Sequence, residues 1–422
     1  MKLLCLSNGH GEDVIATRIL EQLQHHPDAP DIAALPLVGE GYAYTRLDIP
    51  IIGPVQKMPS GGFIYMDGSQ LWRDMRGGLL RLTIAQYKAV CKWAKTGGFI
   101  LAVGDIVPLL FAWLSGADYA FVGTAKSEYY LRDENGWLAQ TSWLERWFGS
   151  VYLPLDCWFM SRRRCKGVFP RDKLTTEILQ QKSIRAFDLG NPMMDGIKSE
   201  HPAPVFFEPD AEEKEKERSL VILLLPGSRI PEAYHNWQPI IRATGEIISA
   251  FSRRSVVFLG AIAPALSQKD FQEHLASEGW ISQLLERVTI PISDPEALVF
   301  MNKNATLVLT QNAYKNCLLA ADFAIAMAGT ATEQFVGLGK PAIAIPGNGP
   351  QFTPAFAEAQ TRLLGTSLIL VKSPDDVAGV IQMLLQYPDR LQLIAENGQR
   401  RMGKPGAAAR IANCLKSMID NC

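Results

Sequence analysis

The chain has 422 residues, with 42 Lys and Arg against 43 Asp and Glu, a formal charge of −1. At about 150 residues per domain this allows two or three full cores, and the balanced charge argues against an extended nucleic-acid footprint, which needs a basic excess. Hydrophobic residues at 47%, charged at 20% and aromatic at 9% exclude disorder, collagen and coiled coil as the main architecture.

The opening MKLLCLSNGHGED predicts a first strand, KLLCLS, and not a secretory leader, because Asn8, His10, Glu12 and Asp13 cut the apolar run short. The expected compartment is therefore the cytoplasm. Seven scattered cysteines without a C-x-x-C pair predict neither a disulfide framework nor a zinc site. The next strands are read at DIAALPLV, ILAVG, YAFVG, VYLP and AFDLG, separated by helical patterns such as VIATRILEQL. The most apolar stretch, 99–123, contains Asp105, Pro108 and Asp118. Each Asp at mid-membrane costs roughly 2.5–3.5 kcal/mol on insertion scales, so it is read as strand, buried helix and strand. Residues 201–219, rich in Pro and then in charge, form the expected linker. After it come LVILLLPG, VVFLGA, RVTIP, TLVLT, FAIAMAG, PAIAIPG and SLILV, then helices in DDVAGVIQMLLQY and AAARIANCLKSMI.

This alternation predicts an α/β protein with two doubly wound, Rossmann-like parallel-sheet domains facing across a cleft, over 1–200 and 220–422. The last helix is expected to pack back on the first domain. Ligands in such sheets bind where strands end at their carboxyl edge, so the loops there are the candidates.

Three loops stand out. In SNGHGED, Gly9 and Gly11 permit close backbone approach, while His10, Glu12 and Asp13 bring titratable groups to a helix N-terminus; the plainer alternative is a tight turn with Glu12 and Asp13 complementing the helix dipole. In LLLPGSRIPE, the N–H groups of Gly227, Ser228 and Arg229 with the Arg229 guanidinium suit a diphosphate, against a simple turn with a surface arginine. In AIAMAGTATEQFVGLGKPAIAIP, Gly329 and Thr330 are placed to donate to phosphate and Glu333 to accept ribose hydroxyls. The alternative for Glu333 is a Thr330-x-x-Glu333 capping box. Gln351, in GNGPQFTPAF, is a candidate for the sugar, or else an exposed polar residue on a mobile loop.

LLLPGSRIPE and AGTATEQFVGLGKPAIAIP, and more loosely SNGHGED and GNPMMDGI (190–197), resemble the lipid-A-disaccharide synthases and their relatives, GT-B glycosyltransferases that use UDP-sugars. The resemblance covers most of the second half and only a little of the first. It implies a metal-independent, inverting transfer with no cofactor beyond the UDP-sugar co-substrate. UDP is then held by the C-terminal domain, and a lipid or glycolipid acceptor by the N-terminal one. Carried over by position, Gly227, Ser228 and Arg229 match the diphosphate loop, and Gly329, Thr330 and Glu333 the nucleotide turn and ribose carboxylate. Two departures, FVGTAKSEYYLRDENG at 121–136 and the Asn8–Asp13 loop itself, point to an acceptor, or an acceptor and sugar, different from those of lipid A chemistry.

Such a transfer needs a base and charge stabilisation of the leaving diphosphate. No Asp-x-Asp metal motif is present, so no metal is expected, and the base candidates are Asp105, His10 and Asp13. Asp105 is equally readable as the N-cap of the following helix. A lipid acceptor requires a docking surface; residues 71–95 have six Lys/Arg against one Asp with apolar residues at helical spacing, as would suit the inner face of a cytoplasmic membrane. WFMSRRRCK at 158–166 is a second basic candidate, and for both the alternative is an apolar face buried in the chain's own domain. A UDP-sugar epimerase of the same fold, or a nucleotide-sugar-binding protein without catalysis, are the competing functions.

Overall fold

The computed structural model describes residues 1–56, 79–197, 218–285 and 291–421. These divide into two compact units, Met1–Gly196 with Gly403–Cys422, and Ile197–Met402.

The first unit is built on a parallel sheet of β1 (Lys2–Ser7), β2 (Asp31–Pro36), β3 (Phe99–Gly104), β4 (Asp118–Gly123) and a strand at Cys165–Phe169, in the order β2-β1-β3-β4 and then that last strand. Both faces are covered, which is why KLLCLS and FILAVG are apolar almost throughout. Successive residues serve opposite faces: Leu3, Cys5, Phe99, Leu101 and Val103 pack with Ile15 and Ile19 of helix α1 (His10–Gln24), whereas Leu4, Leu6, Ile100 and Ala102 pack with Val90 and Phe111. Ala408, Ile411, Ala412, Leu415 and Ile419, one stripe of the helix Ala407–Asp420, close the α1 face. That helix is capped from GNPMMDGI: the Asp195 carboxylate accepts from the N–H groups of Gly406 (2.5 Å), Ala407 (3.1 Å) and Ala408 (2.6 Å).

Three expectations in this unit need correction. VYLP is not a strand, because Pro154 opens the helix Pro154–Met160 with Leu153 as its N-cap. AFDLG contributes only a bridge from Ala186 to Val168. The fifth strand is CKGVF, entered from the arginine run of WFMSRRRCK, where Phe159, Met160 and Cys165 are buried. Of residues 71–95, 71–78 lie outside the described residues. The remainder forms the helix Leu79–Ala94, which turns Leu82, Gln86 and Val90 inward and leaves Arg81, Lys88, Lys92 and Lys95 exposed, so its apolar face is spent on its own unit.

The second unit carries eight strands in the order Ile281–Gln283, Leu298–Asn302, Ala305–Thr310, β5 (Val256–Ala261), β6 (Leu220–Leu225), β7 (Phe323–Ala326), β8 (Ala342–Ala344) and Leu368–Leu370. Leu298–Asn302 pairs antiparallel with both Ile281–Gln283 and Ala305–Thr310, and the remaining pairs are parallel. The LVFMN and ISQ strands were not anticipated, and RVTIP lies, but for Pro291, outside the described residues, as do 201–217 of the expected linker. Among the described residues no helix is long and apolar enough to cross a membrane.

Candidate functional site

In the first unit, β1, β3 and β4 are adjacent and parallel, so the turns after Ser7, Gly104 and Gly123 emerge along one edge of the sheet. Asn8 reaches across with its Nδ2 to donate to Asp105 Oδ2 at 2.9 Å, while Asp105 Oδ1 accepts from the Val107 N–H at 2.8 Å as N-cap of the helix Ile106–Ser115. The capping alternative for Asp105 is thus realised, and its second oxygen stays with the loop. Glu12 lies beside it. Thr124 Oγ1 donates to Glu12 Oε1 at 3.3 Å, and Gly104 takes φ +128°, a backbone region that favours glycine, where a Cβ would also stand 3.2 Å from Glu12 Cγ. Lys126 pairs with Asp156 at 2.5 Å, and Asp156 also accepts from the Leu153 N–H.

Burial raises the proton affinity of both acids. The Glu12 carboxyl is pushed up by desolvation and further by the Asp105 charge; Asp105 is pushed up by desolvation against the opposing pull of Val107, Asn8 and Lys126. Asp13 has a different situation from the one its position in the loop suggested. It is 3% exposed and accepts from Ser7 Oγ at 2.5 Å, and Ser7 in turn accepts from Tyr44 OH at 2.6 Å. Burial, helped by the Glu12 charge, moves its carboxyl up to about 7. Asp13 is turned inward to Ser7, whereas Asp105 stays with the loop. Gly9 is the N-cap of α1 and His10 its first residue, with Gly11 exposed behind it. The His10 side chain is outside the described residues.

In the second unit β6, β7 and β8 are also adjacent and parallel, with Leu225 paired to Ala326 and Ala326 to Ala344. The segments 226–231, 327–330 and 345–353 therefore leave the sheet side by side. Gly227, at φ +101°, lets the first turn press on the second: a Cβ there would stand 3.3 Å from Met327 O. Three buried polar side chains hold the loops. Asn236 donates to Pro226 O at 3.0 Å and to Met327 O at 3.4 Å. Glu232 accepts from the Gln351 and Phe352 N–H groups at 3.0 and 2.7 Å. Gln360 donates to Ala328 O at 3.1 Å and Gly329 O at 3.3 Å.

Ser228 is exposed and Arg229 half-buried; burial draws the guanidinium down from its usual range while the Glu232 charge opposes this. The helix Thr330–Gly337 begins one residue earlier than a Thr330 cap requires: its N-cap is Gly329 and no side chain caps it. The Thr330–Glu333 capping box does not form. Glu333 sits instead in the first turn, 8% exposed, at the same edge as Arg229. Gln351 is tied to Glu232 through its backbone.

Asn8, Thr124, Lys126 and Asp156 in the first unit, and Glu232, Asn236 and Gln360 in the second, were not singled out from sequence. PGSRIPE, with an acid three residues after the arginine, was the signal available for Glu232. The pairs Lys126–Asp156, Asn8–Asp105 and Thr124–Glu12 are joined across 30, 97 and 112 positions, and no local spacing marks them. Among the described residues no group of three or more His, Cys, Asp or Glu is arranged to hold a metal ion.

Two Rossmann-like α/β units, each with its loops gathered at the carboxyl edge of a parallel sheet, define the GT-B fold. Solved structures agree. The chain is similar to UDP-GlcNAc 2-epimerase from Neisseria meningitidis bound to UDP-GlcNAc, with 15% identity, a TM-score of 0.54 and 99% of this chain and 100% of that one covered. It is similar to S. aureus MnaA in its structure with UDP, with 12% identity, a TM-score of 0.57 and coverage of 100% and 98%. It is also similar to MurG of Acinetobacter baumannii, with 13% identity, a TM-score of 0.55 and 99% of each chain covered. At these identities the likeness is one of fold. No protein-family model matches the chain, and no curated protein sequence matches it.

Proposed function

We propose that the chain is a UDP-sugar enzyme whose second unit binds the donor's diphosphate and ribose. The observation that carries this reading is the juxtaposition, at one sheet edge, of the Gly227–Arg229 turn with the uncapped helix start at Gly329 and the acid Glu333. Backbone N–H groups of Gly227, Ser228, Gly329 and Thr330 with the Arg229 guanidinium suit a diphosphate. Glu333, in the first turn of that helix, suits the paired hydroxyls of a ribose, and Gln351 the sugar. The solved relatives by fold that carry UDP or UDP-GlcNAc support the same nucleotide.

For the reaction, the motif resemblance favours transfer to an acceptor hydroxyl, on a lipid or glycolipid. The acceptor oxygen bonds to the anomeric carbon, its proton passes to Asp105 or His10, and UDP departs with the bond's electron pair, its charge met by Arg229. A second reading, epimerisation at a sugar carbon, is favoured by a specific feature: Glu12 and Asp105 lie together with raised proton affinities, and inverting a C–H centre requires an acid and a base. The UDP-GlcNAc 2-epimerase that shares the fold supports it.

UDP at about 100 times its Kd should stabilise the wild-type protein by about 2.7 kcal/mol in a thermal melt. Arg229→Ala should lose most of that shift. Glu333→Ala should bind UDP and a 2′,3′-dideoxyribose analogue equally, where the wild type prefers UDP. No UDP shift in the wild type refutes the donor site. Proton NMR in D2O with UDP-GlcNAc separates the reactions: deuterium entering the sugar ring together with a second epimer marks epimerisation, and UDP release that requires an added acceptor marks transfer.

A further inference from the structure

The turn after β4 acts on both acids at the carboxyl edge of the first sheet. Thr124 donates to Glu12, and two residues further on Lys126 brings a cation whose charge favours an ionised Asp105. The place of that ammonium is fixed by its surroundings. Asp156, 2% exposed, pairs with it at 2.5 Å, and the same oxygen accepts from the Leu153 N–H at 2.9 Å, at the start of the helix Pro154–Met160. The Tyr152 ring flanks it, with the centroid 5.2 Å from Nζ. Arg171 donates to Thr124 O at 3.2 Å and so holds the turn itself. A lysine on open surface keeps its rotamer freedom, whereas this one is 18% exposed and held in one geometry.

The two acids differ in what they receive. Asp105 accepts from two N–H groups, Val107 at 2.8 Å and Asn8 at 2.9 Å, and bonds of that kind favour a carboxylate. Glu12 has one hydroxyl at 3.3 Å and its own backbone N–H. They are close neighbours: a Cβ on Gly104, the residue before Asp105, would stand 3.2 Å from Glu12 Cγ and 3.5 Å from Asn8 Cβ. Burial favours the neutral form of each, and the second to ionise also meets the charge of the first. The Lys126 ammonium adds to the two N–H bonds on the side of Asp105, while Asp156 opposes it. The helix Ile106–Ser115, IVPLLFAWLS, carries no charge. The other charged or titratable residues here are Asp13, turned to Ser7, Arg171, bonded to Thr124 O, and His10, the first residue of α1.

We propose that Lys126, seated on Asp156, is a positioning residue that keeps Asp105 as the carboxylate and leaves the proton of the pair on Glu12. A base accepts a proton only in its ionised form and an acid delivers one only in its neutral form, so Asp105 is the base and Glu12 the acid at this edge. These roles rest on the reading of the chain as a UDP-sugar enzyme, whereas the order in which the two carboxyls titrate is a property of the unliganded protein.

The test is carbon-13 NMR of the full chain, labelled at the Asp and Glu carboxyl carbons and titrated without ligand over about pH 4 to 8. Asp105 and Glu12 are assigned by the signals lost in Asp105→Asn and Glu12→Gln. In the wild type Asp105 should release its proton at lower pH than Glu12. Lys126→Met should raise the Asp105 midpoint by about one pH unit, Asp156→Asn should lower it, and Lys126→Arg should keep the wild-type order. Opposite shifts from the two ends of one ion pair are not expected of a bridge that only holds the turn in place. Should Lys126→Met fail to fold, Lys126→Met with Asp156→Asn leaves neither partner buried and unpaired, and its Asp105 midpoint should lie above that of Asp156→Asn alone. His10→Gln should preserve the order of the two acids. The acidic limb of the pH profile for UDP release or deuterium incorporation should rise with the Asp105 midpoint in Lys126→Met. The proposal is overturned if Glu12 releases first in the wild type, if the Asp105 midpoint is indifferent to loss of the Lys126 charge, if the order vanishes in His10→Gln, or if the acidic limb stays put while the midpoint moves. A thermal melt with UDP keeps the two readings apart: no shift in the wild type refutes the donor site whichever acid titrates first, and a normal shift with the acids in reverse order refutes only the role of Lys126.

Discussion

Asp13 offers the sharpest test of the first unit. Its carboxyl, ordinarily near 3.8, is moved up to about 7 by burial. A folded state that holds a proton more tightly than the unfolded chain does is most favoured, as far as this group goes, below pH 3.8. Its stability falls as pH rises from there to about 7, because the unfolded chain releases the proton and the folded one keeps it. At about 1.4 kcal/mol for each tenfold change in proton affinity, the charged form destabilises the fold by about 4 kcal/mol above pH 7. Asp13→Asn keeps an oxygen for the Ser7 hydroxyl and cannot ionise. Urea unfolding of both proteins from pH 4 to 8 should show a small difference at pH 4 that grows in favour of the variant through the window and levels off by about pH 8. The other carboxylates are common to both chains and cancel. A difference that stays constant across the range would refute the argument that Asp13 is a buried acid forced to ionise.

Gly123→Ala should lower the melting temperature, since the new Cβ overlaps Tyr152 Oη, a buried hydroxyl with no hydrogen-bond partner among the described residues; adding Tyr152→Phe should recover most of a loss of about 1–3 kcal/mol, and failure to recover would show that the strain lies elsewhere. Asp195→Ala removes three acceptances from the start of the helix Ala407–Asp420 and should lower stability by about 2 kcal/mol in urea unfolding, an effect expected to be absent if that helix holds by its apolar stripe alone. Lys340→Met strips the only charged donor serving Leu318 O, Leu319 O and Ala321 O among the bonds described, and should lower the melting temperature by an amount equivalent to about 2–3 kcal/mol. Glu232→Gln should loosen the Gln351–Phe352 loop, weakening UDP binding several-fold in a thermal-shift titration while leaving the global melt nearly unchanged.

The buried parallel strands were legible because burial on both faces leaves a continuous apolar run, as in LVILLL and FILAVG. CKGVF was hidden by the arginines before it, and VYLP misled because Leu153 and Pro154 resemble a strand end while starting a helix. The loops of the candidate site were visible through their glycines and their positions after strands. What could not be read was how each side chain is spent. Thr330 and Glu333 have capping-box spacing, yet the helix starts from Gly329. Asp13 and Asp105 look alike in sequence, but one turns inward to Ser7 and the other stays at the loop edge. Lys126 and Asp156 meet only because β4 and the helix Pro154–Met160 are brought together by the sheet, a relation with no local signature.

The return of the helix Ala407–Asp420 to the α1 face has a consequence for how the protein is made. Strand Lys2–Ser7 leaves the ribosome early, but Leu3, Cys5 and Ile19 keep an open flank until Leu415 and Ile419 have been translated. The first unit therefore closes only after the whole intervening unit has emerged. Any product cut before residue 403 is left with an uncovered apolar face, open to chaperone capture or aggregation.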